Sequence, residues 1–372
     1  MNPRSVRASH PARLLAASLL AIILFCGCTP SRPERNPAEV RARIVHLLPA
    51  RLADRSGWAA DLYAAFDALE IDPSTPNLCA ALAVTEQESG FNVDPVVPGL
   101  GAIARKEIER RAGQHAIPGF VVRGALVMAS HNGKSYDDQL STVRTEQDLS
   151  RLYDEFIGSV PLGSRLLGGA NPVHTGGPMQ VSIGFAQDYA RAHDYPYPVA
   201  GSIRQEVFTR RGGLYFGVAH LLGYPTSYAQ PLYRFADYNA GFYASRNAAF
   251  QQAASIASDI RIPLDGDLVR YGSNEVGATE LAVRALSTQL GMTDVQIQRA
   301  LRQGETAGFE RSALYERVFG LAEQHAHRHL PRAMLPRITL ESPKITRKLT
   351  TQWFATRVDQ RYRRCLAAAS RR

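Results

Sequence analysis

Residues 85–95 read TEQESGFNVDP, and the fold turns on how that stretch is entered and left. Ahead of it, Thr75 followed by Pro76 is a helix start, a capping residue with proline at the first helical position. Leu78, Leu82 and Thr85 continue one stripe toward Ser89, and Gly90 is the natural stop. The spacing predicts a largely apolar helix whose last turn carries Glu88. Burying a carboxylate is costly unless it is paired or kept neutral, and a Glu kept neutral is a general acid. A helix that ends on Glu88 and turns sharply at Gly90 before an aromatic delivers such an acid from an apolar wall.

Working outward, helical periodicity dominates. Val40, Ile44, Leu47 and Leu48, then Trp58, Leu62, Phe66 and Leu69, predict two helices within 38–75, broken near Pro49. Further helices are expected over 101–111, 120–130, 146–157, 208–222, on both sides of an Asn-Ala-Gly break at 239–241, and over 281–303, 309–328 and 345–369. Strand-like stretches are few, chiefly 260–263 and 338–340. The class is mostly α.

With 372 residues and 45% hydrophobic content, the chain is large enough for one large domain or two modest ones, and it is not a disordered protein. Arg4, Arg7 and Arg13 precede an apolar run from Leu14 to Phe25, the pattern of an export leader. The run ends in LFCGC, which resembles a bacterial lipoprotein signal: residues 1–27 would be removed, Cys28 acylated, and 28–37 would serve as a tether. The formal charge of +9 then loses three arginines and becomes +6. The twelve-residue run is short for a membrane span, and an uncleaved anchor is the alternative. Thr29, in place of Asp, points to the periplasmic face of the outer membrane. Cys79 and Cys365 would remain in an oxidising compartment, either paired or as two separate buried thiols. No cysteine spacing suits a metal.

Three short signals occur in order: ESGF at 88–91, GPMQV at 177–181 and YNAG at 238–241. Together they resemble the lytic transglycosylases of the goose-type lysozyme-like superfamily, whose catalytic domains carry Glu-Ser at a helix end, a Gly-x-Met-Gln turn and a Tyr-Asn-Ala-Gly helix start. The resemblance implies a lysozyme-like domain over 76–255, interrupted by an insertion at about 92–175, with extra helices before it and a helical region over 256–372. Pro178 stands where Leu is common in that family. The chain also resembles an uncharacterised proteobacterial lipoprotein family, which assigns no function.

The superfamily resemblance implies cleavage of the MurNAc-GlcNAc bond of peptidoglycan to leave 1,6-anhydro-MurNAc ends, without cofactor or metal. Glu88 would be both acid and base. Ser89 would position it, Met179 and Gln180 would shape the cleft wall, and Tyr238 and Asn239 would bond the acid or the sugar acetamido group. Most glycosidases need a second carboxylate, and substrate-assisted ones do not. A hydrolytic muramidase is the alternative within enzymes, with Asp94 and Glu107 as nominal second acids. A non-catalytic peptidoglycan-binding lipoprotein is the alternative outside them.

Simpler readings accompany each signal. Glu86, two residues before Glu88 and on another face, reads as solvated. GPMQV alone is a turn with a packed Met, and YNAG alone is a capped helix start. His325, His327 and His329 include an i, i+4 pair, yet no acidic ligand accompanies them and a solvated helix end is the expectation. The basic segment 344–372 suits an anionic envelope polymer or the protein's own core, not nucleic acid.

Overall fold

The computed structural model describes residues 36–114, 116–159, 171–270, 272–273, 275–340 and 348–371. The leader, Cys28 and the tether up to residue 35 lie outside the described residues. Helix α1 (Pro37–Leu47) starts at Asn36, whose side chain accepts from the Ala38 N–H at 3.0 Å. Asp54 does the same for α2 (Arg55–Ala68), accepting from Gly57 N–H at 3.1 Å. Proline at the first turn then opens α3 (Thr75–Ser89). Every residue from Leu78 to Thr85 on α3 is buried, and a helix apolar all round belongs inside. It is accordingly central.

The described part of the insertion folds into α4 (Leu100–Gln114), α5 (Gly119–Leu126), α6 (Tyr136–Thr142) and α7 (Glu146–Ser159), with α4 packed against the other three. An antiparallel hairpin follows, β1 (Thr175–Gly176) and β2 (Val181–Ser182), in the register Gly176 to Val181. Its loop is therefore Gly177 to Gln180. Ser182 caps α8 (Ile183–Ala192), and α9 (Ile203–Val207) leads into α10 (Arg210–Leu222), which packs on α2 and α3.

Helices α11 (Pro231–Ala240) and α12 (Ala244–Ser258) flank Gly241, whose φ of 109° and ψ of 159° end the first of them. YNAG thus closes α11 and does not open the next helix. Beyond it, α13 (Ala278–Arg284), α14 (Ser287–Leu290) and α15 (Asp294–Leu301) replace the single helix expected over 281–303. Gly291, at φ 58°, breaks the run. Residues 260–263 form no strand, whereas 339–340 do: β3 (Thr339–Leu340) pairs with β4 (Leu349–Thr350) after α16 (Ala313–Ala326). The final helix is α17 (Thr351–Ala369). The fold is mostly helical, with 17 helices and four two-residue strands among the described residues.

Two hydrophobic clusters result. One joins α1 to α11, the hairpin and α17, and the other gathers α12 to α16. Arg246, 1% exposed, sits where α12 meets the second cluster. It has carbonyl acceptors at Gly304 and Thr306 and lies 4.2 Å from the Tyr243 ring centroid, which spreads its charge over dipoles and a π face. Helix α17 returns from the C-terminal region to cover α3 and α11, with Phe354, Ala355, Val358 and Tyr362 turned into the first cluster. Cys365 on α17 is bonded to Cys79 on α3, with Cα atoms 5.5 Å apart across 286 residues of chain.

Candidate functional site

Glu88 and Ser89 are the last residues but one and last of α3, both half-buried. Gly90 caps the helix in the left-handed region at φ 60°, giving its N–H to Glu86 O at 3.1 Å. Phe91 follows at φ 64°, a conformation that is costly for a residue with a Cβ. Its ring, 8% exposed and edge-on to Trp58 at 5.5 Å, supplies the burial that holds it there. Two left-handed residues in succession reverse the chain directly behind Glu88.

The hairpin loop reaches the same place from the other side. Ser89 Oγ lies 2.8 Å from Pro178 O and 3.1 Å from Thr85 O, so its hydroxyl ties the end of α3 to the loop. Tyr238 Oη donates to Met179 O at 2.7 Å, tying the end of α11 to the adjacent carbonyl. The three motifs therefore meet through two consecutive peptide carbonyls. Burial first, and then the negative charge of Glu88, hold the Tyr238 hydroxyl well above the usual phenol range.

The loop can seat there because α10 is notched. A Cβ on Gly213 would strike Pro178, and one on Gly217 would come within 2.7 Å of Met179 Cβ. Met179 is consequently 0% exposed, so its side chain fills the core under the turn and walls no cleft; only its carbonyl serves the site. Gln180, at φ 50°, folds back so that Nε2 is 3.3 Å from Gly177 O and Oε1 accepts from Thr175 Oγ1 at 3.2 Å. Asn239 is exposed, and its Oδ1 accepts from Thr351 Oγ1 of α17 at 2.9 Å.

Two positioning groups had no weight in the sequence. Asp237, 1% exposed, accepts from Tyr228 Oη at 2.6 Å, Tyr224 Oη at 3.2 Å and the Ser245 N–H at 2.7 Å, which fixes the break between α11 and α12. Burial outweighs these bonds and pushes its pKa up to about 6. His220 on α10 packs against Phe185, Tyr238 and Phe242 at centroid distances of 4.7, 5.0 and 4.7 Å. Its Nδ1 is buried with no hydrogen-bond partner among the described residues, and burial lowers its pKa to about 4. Its position within the apolar stretch of α10, with Leu221 and Leu222 after it, was the available signal.

The competing acids are engaged elsewhere. Glu86, expected to be solvated, meets Arg364 at 3.0 Å and Arg361 at 3.5 Å on α17. Glu107 is held by Arg110 and Arg111, whose hydrogen bonds lower its pKa to about 2, so it is a poor base. Asp94 is raised by burial and bonds with Thr145 and the Gln147 backbone at the start of α7. His325, His327 and His329 are exposed at the end of α16. No group of three or more His, Cys, Asp or Glu disposed to hold a metal is present among the described residues. Surface concavities of about 330 Å3, beside Arg43 and Asp72, and about 350 Å3, beside Trp353 and Arg357, are lined by no residue of the three motifs.

Residues 51–368 match a family described as "Protein of unknown function (DUF1615)". The chain is 51% identical over 358 residues to "Uncharacterized protein YaiW" of Escherichia coli (strain K12), a match that covers 95% of this chain and 98% of that one. No solved structure matches. With a matched span that takes in all three motifs and both ends of the disulfide, the chain belongs to the DUF1615 family.

Proposed function

We propose that this protein is a peptidoglycan lytic transglycosylase that cleaves the MurNAc-GlcNAc bond with Glu88 as its acid and base. One observation carries the reading: ESGF, GPMQV and YNAG, spread over more than 150 residues of sequence, meet at the end of α3 that carries Glu88, through Ser89 to Pro178 O and Tyr238 to Met179 O. Three of the eight non-glycine residues with positive φ among the described residues support it. Phe91, Gln180 and Tyr243 each lie in or just after one motif, and such conformations gather where a site is held in place.

In the first step the Glu88 carboxyl gives its proton to the glycosidic oxygen. The N-acetyl oxygen of the same MurNAc attacks C1 as that bond breaks. In the second step the Glu88 carboxylate takes the proton of the C6 hydroxyl, O6 bonds to C1, and the N-acetyl oxygen leaves. Water is not consumed, Glu88 ends protonated as it began, and one carboxylate serves both steps. The Tyr238 proton is committed to Met179 O, so toward the protonated acid Tyr238 offers only a lone pair. A tether acylated at Cys28 would hold the domain at the periplasmic face of the outer membrane, in keeping with a disulfide that needs an oxidising compartment.

The test is mass spectrometry of purified sacculi digested with protein lacking residues 1–28, beside Glu88→Gln. Anhydromuropeptides from the unaltered protein alone are expected. Reducing ends would select hydrolysis instead. Binding of intact sacculi without any product would select a glycan-binding protein, a reading favoured by Asn239 Oδ1 being already engaged with Thr351.

A further inference from the structure

Helix α5 departs from the rule that an all-apolar helix is buried. Gly119–Leu126 reads GFVVRGAL, apolar on every side except at Arg123. Only Val122 and Leu126, one turn apart, face the core. Phe120 and Val127 are each 69% exposed, Met128 46%, Val121 45%, and Ile117 just ahead 44%. At about 100° per residue, Phe120 projects roughly opposite Val122 with Val121 beside it, and Val127 and Met128 follow directly on the end of the helix. Five of the ten large hydrophobic residues exposed among the described residues fall within 117–128. They make one patch, where isolated exposed residues would need no explanation.

Within the segment that carries the patch the charge is one-sided. No Asp or Glu occurs from Ala116 to Ser135, while Arg123 and Lys134 are exposed. Glu155, the acid that reaches this segment, is taken up by the His131 ring and N–H. The segment is also firmly seated: Ser130 N–H bonds Lys134 O at 2.9 Å, Tyr136 N–H bonds Met128 O at 3.1 Å, and the Tyr136 ring meets Phe156 at 5.1 Å. Its exposure is built in.

We infer that this patch docks on a lipid bilayer, with Phe120, Val121, Val127 and Met128 among the acyl chains and Arg123 and Lys134 at anionic headgroups. An apolar tip whose own segment carries basic and no acidic residues is the chemistry of interfacial insertion. The inference is independent of the glycan reading.

Protein lacking residues 1–28 would be floated with phosphatidylethanolamine vesicles containing about a third phosphatidylglycerol, and with phosphatidylcholine vesicles. Flotation with the anionic vesicles is expected, reduced roughly tenfold or more in Phe120→Ser/Val127→Ser, whose changes are exposed and leave the melting temperature in place. Phe120→Trp should gain fluorescence that brominated acyl chains quench, while Glu88→Gln floats unchanged. Unaltered protein that stays at the bottom of the gradient overturns the inference, as does a double variant that floats equally well. A solution dimer abolished by the double variant would also overturn it, because a second copy would then own the patch.

Discussion

Ser89 Oγ stands 2.8 Å from Pro178 O, and Tyr238 Oη stands 2.7 Å from the next carbonyl along, so two helix ends grip adjacent peptides of one loop. Pro178 and Met179 are buried, and a buried carbonyl stripped of its donor costs about 1–3 kcal/mol. Ser89→Ala and Tyr238→Phe should each lower stability by roughly that amount in urea unfolding. The double variant should lose less than the sum, by at least about 0.5 kcal/mol, because the loop is already loosened. Strict additivity would mean that the two bonds do not act on one turn.

Glu86 and Glu88 separate by roughly 200° around α3, and their substitutions should separate as cleanly. Glu86→Gln removes a partly exposed pair with Arg361 and Arg364, so a stability loss below about 1 kcal/mol and full product formation are expected. Glu88→Gln should keep the fold and lower anhydromuropeptide release roughly 100- to 10,000-fold. The reverse pattern in a sacculus digestion would assign the acid to Glu86.

These contrasts mark what the sequence made legible. The stop at Gly90 is a local signal and α3 ends at Ser89 as it requires, whereas at the entry Ser74, one residue ahead of the expected Thr75, is the cap and Pro76 lies in the first turn. YNAG read both as a break between helices, which holds, and as a helix start, which does not: Gly241 ends α11 with its N–H on Asp237 O, and tertiary bonds from Tyr224, Tyr228 and Ser245 fix Asp237 there. The burial of Met179 depends on space left by Gly217 on another element. Apolar periodicity ran through Gly291 because a left-handed residue leaves the pattern on either side intact. The site was legible as three motifs, but their meeting through backbone carbonyls was not, since carbonyls carry no sequence identity.

The pairing of Cys79 with Cys365 was equally undecidable from spacing, and the bond should dominate the seating of α17. Closing 286 residues of chain is worth up to about 5 kcal/mol in the chain-entropy account of the unfolded state. Reduction, or Cys79→Ala with Cys365→Ala, should therefore lower the calorimetric melting temperature by several degrees. Product release should fall with it at temperatures where the fold persists, because α17 packs on the helices that carry Glu88 and Tyr238. An unchanged melting temperature would show that α17 is held by Phe354, Val358 and Tyr362 alone.

His220 and Asp237 predict opposite dependences of stability on pH. His220 takes up its proton near pH 4 when folded and near 6.5 when unfolded, so between these values the unfolded chain binds more protons and stability is lost as pH falls. Asp237 titrates near 6 when folded against 3.8 when unfolded, so the folded state binds more protons and stability is lost as pH rises from 3.8 to 6. Each contribution is about 3 kcal/mol at most, and they oppose one another across pH 4 to 6. His220→Phe keeps an aromatic ring between Phe185 and Phe242 but removes one side of the balance. Urea unfolding at intervals of pH should show a shallow dependence in the unaltered protein and a marked decline from pH 4 to 6 in the variant. Parallel profiles would mean that the imidazole titrates alike in both states, and that its burial does not exclude the proton.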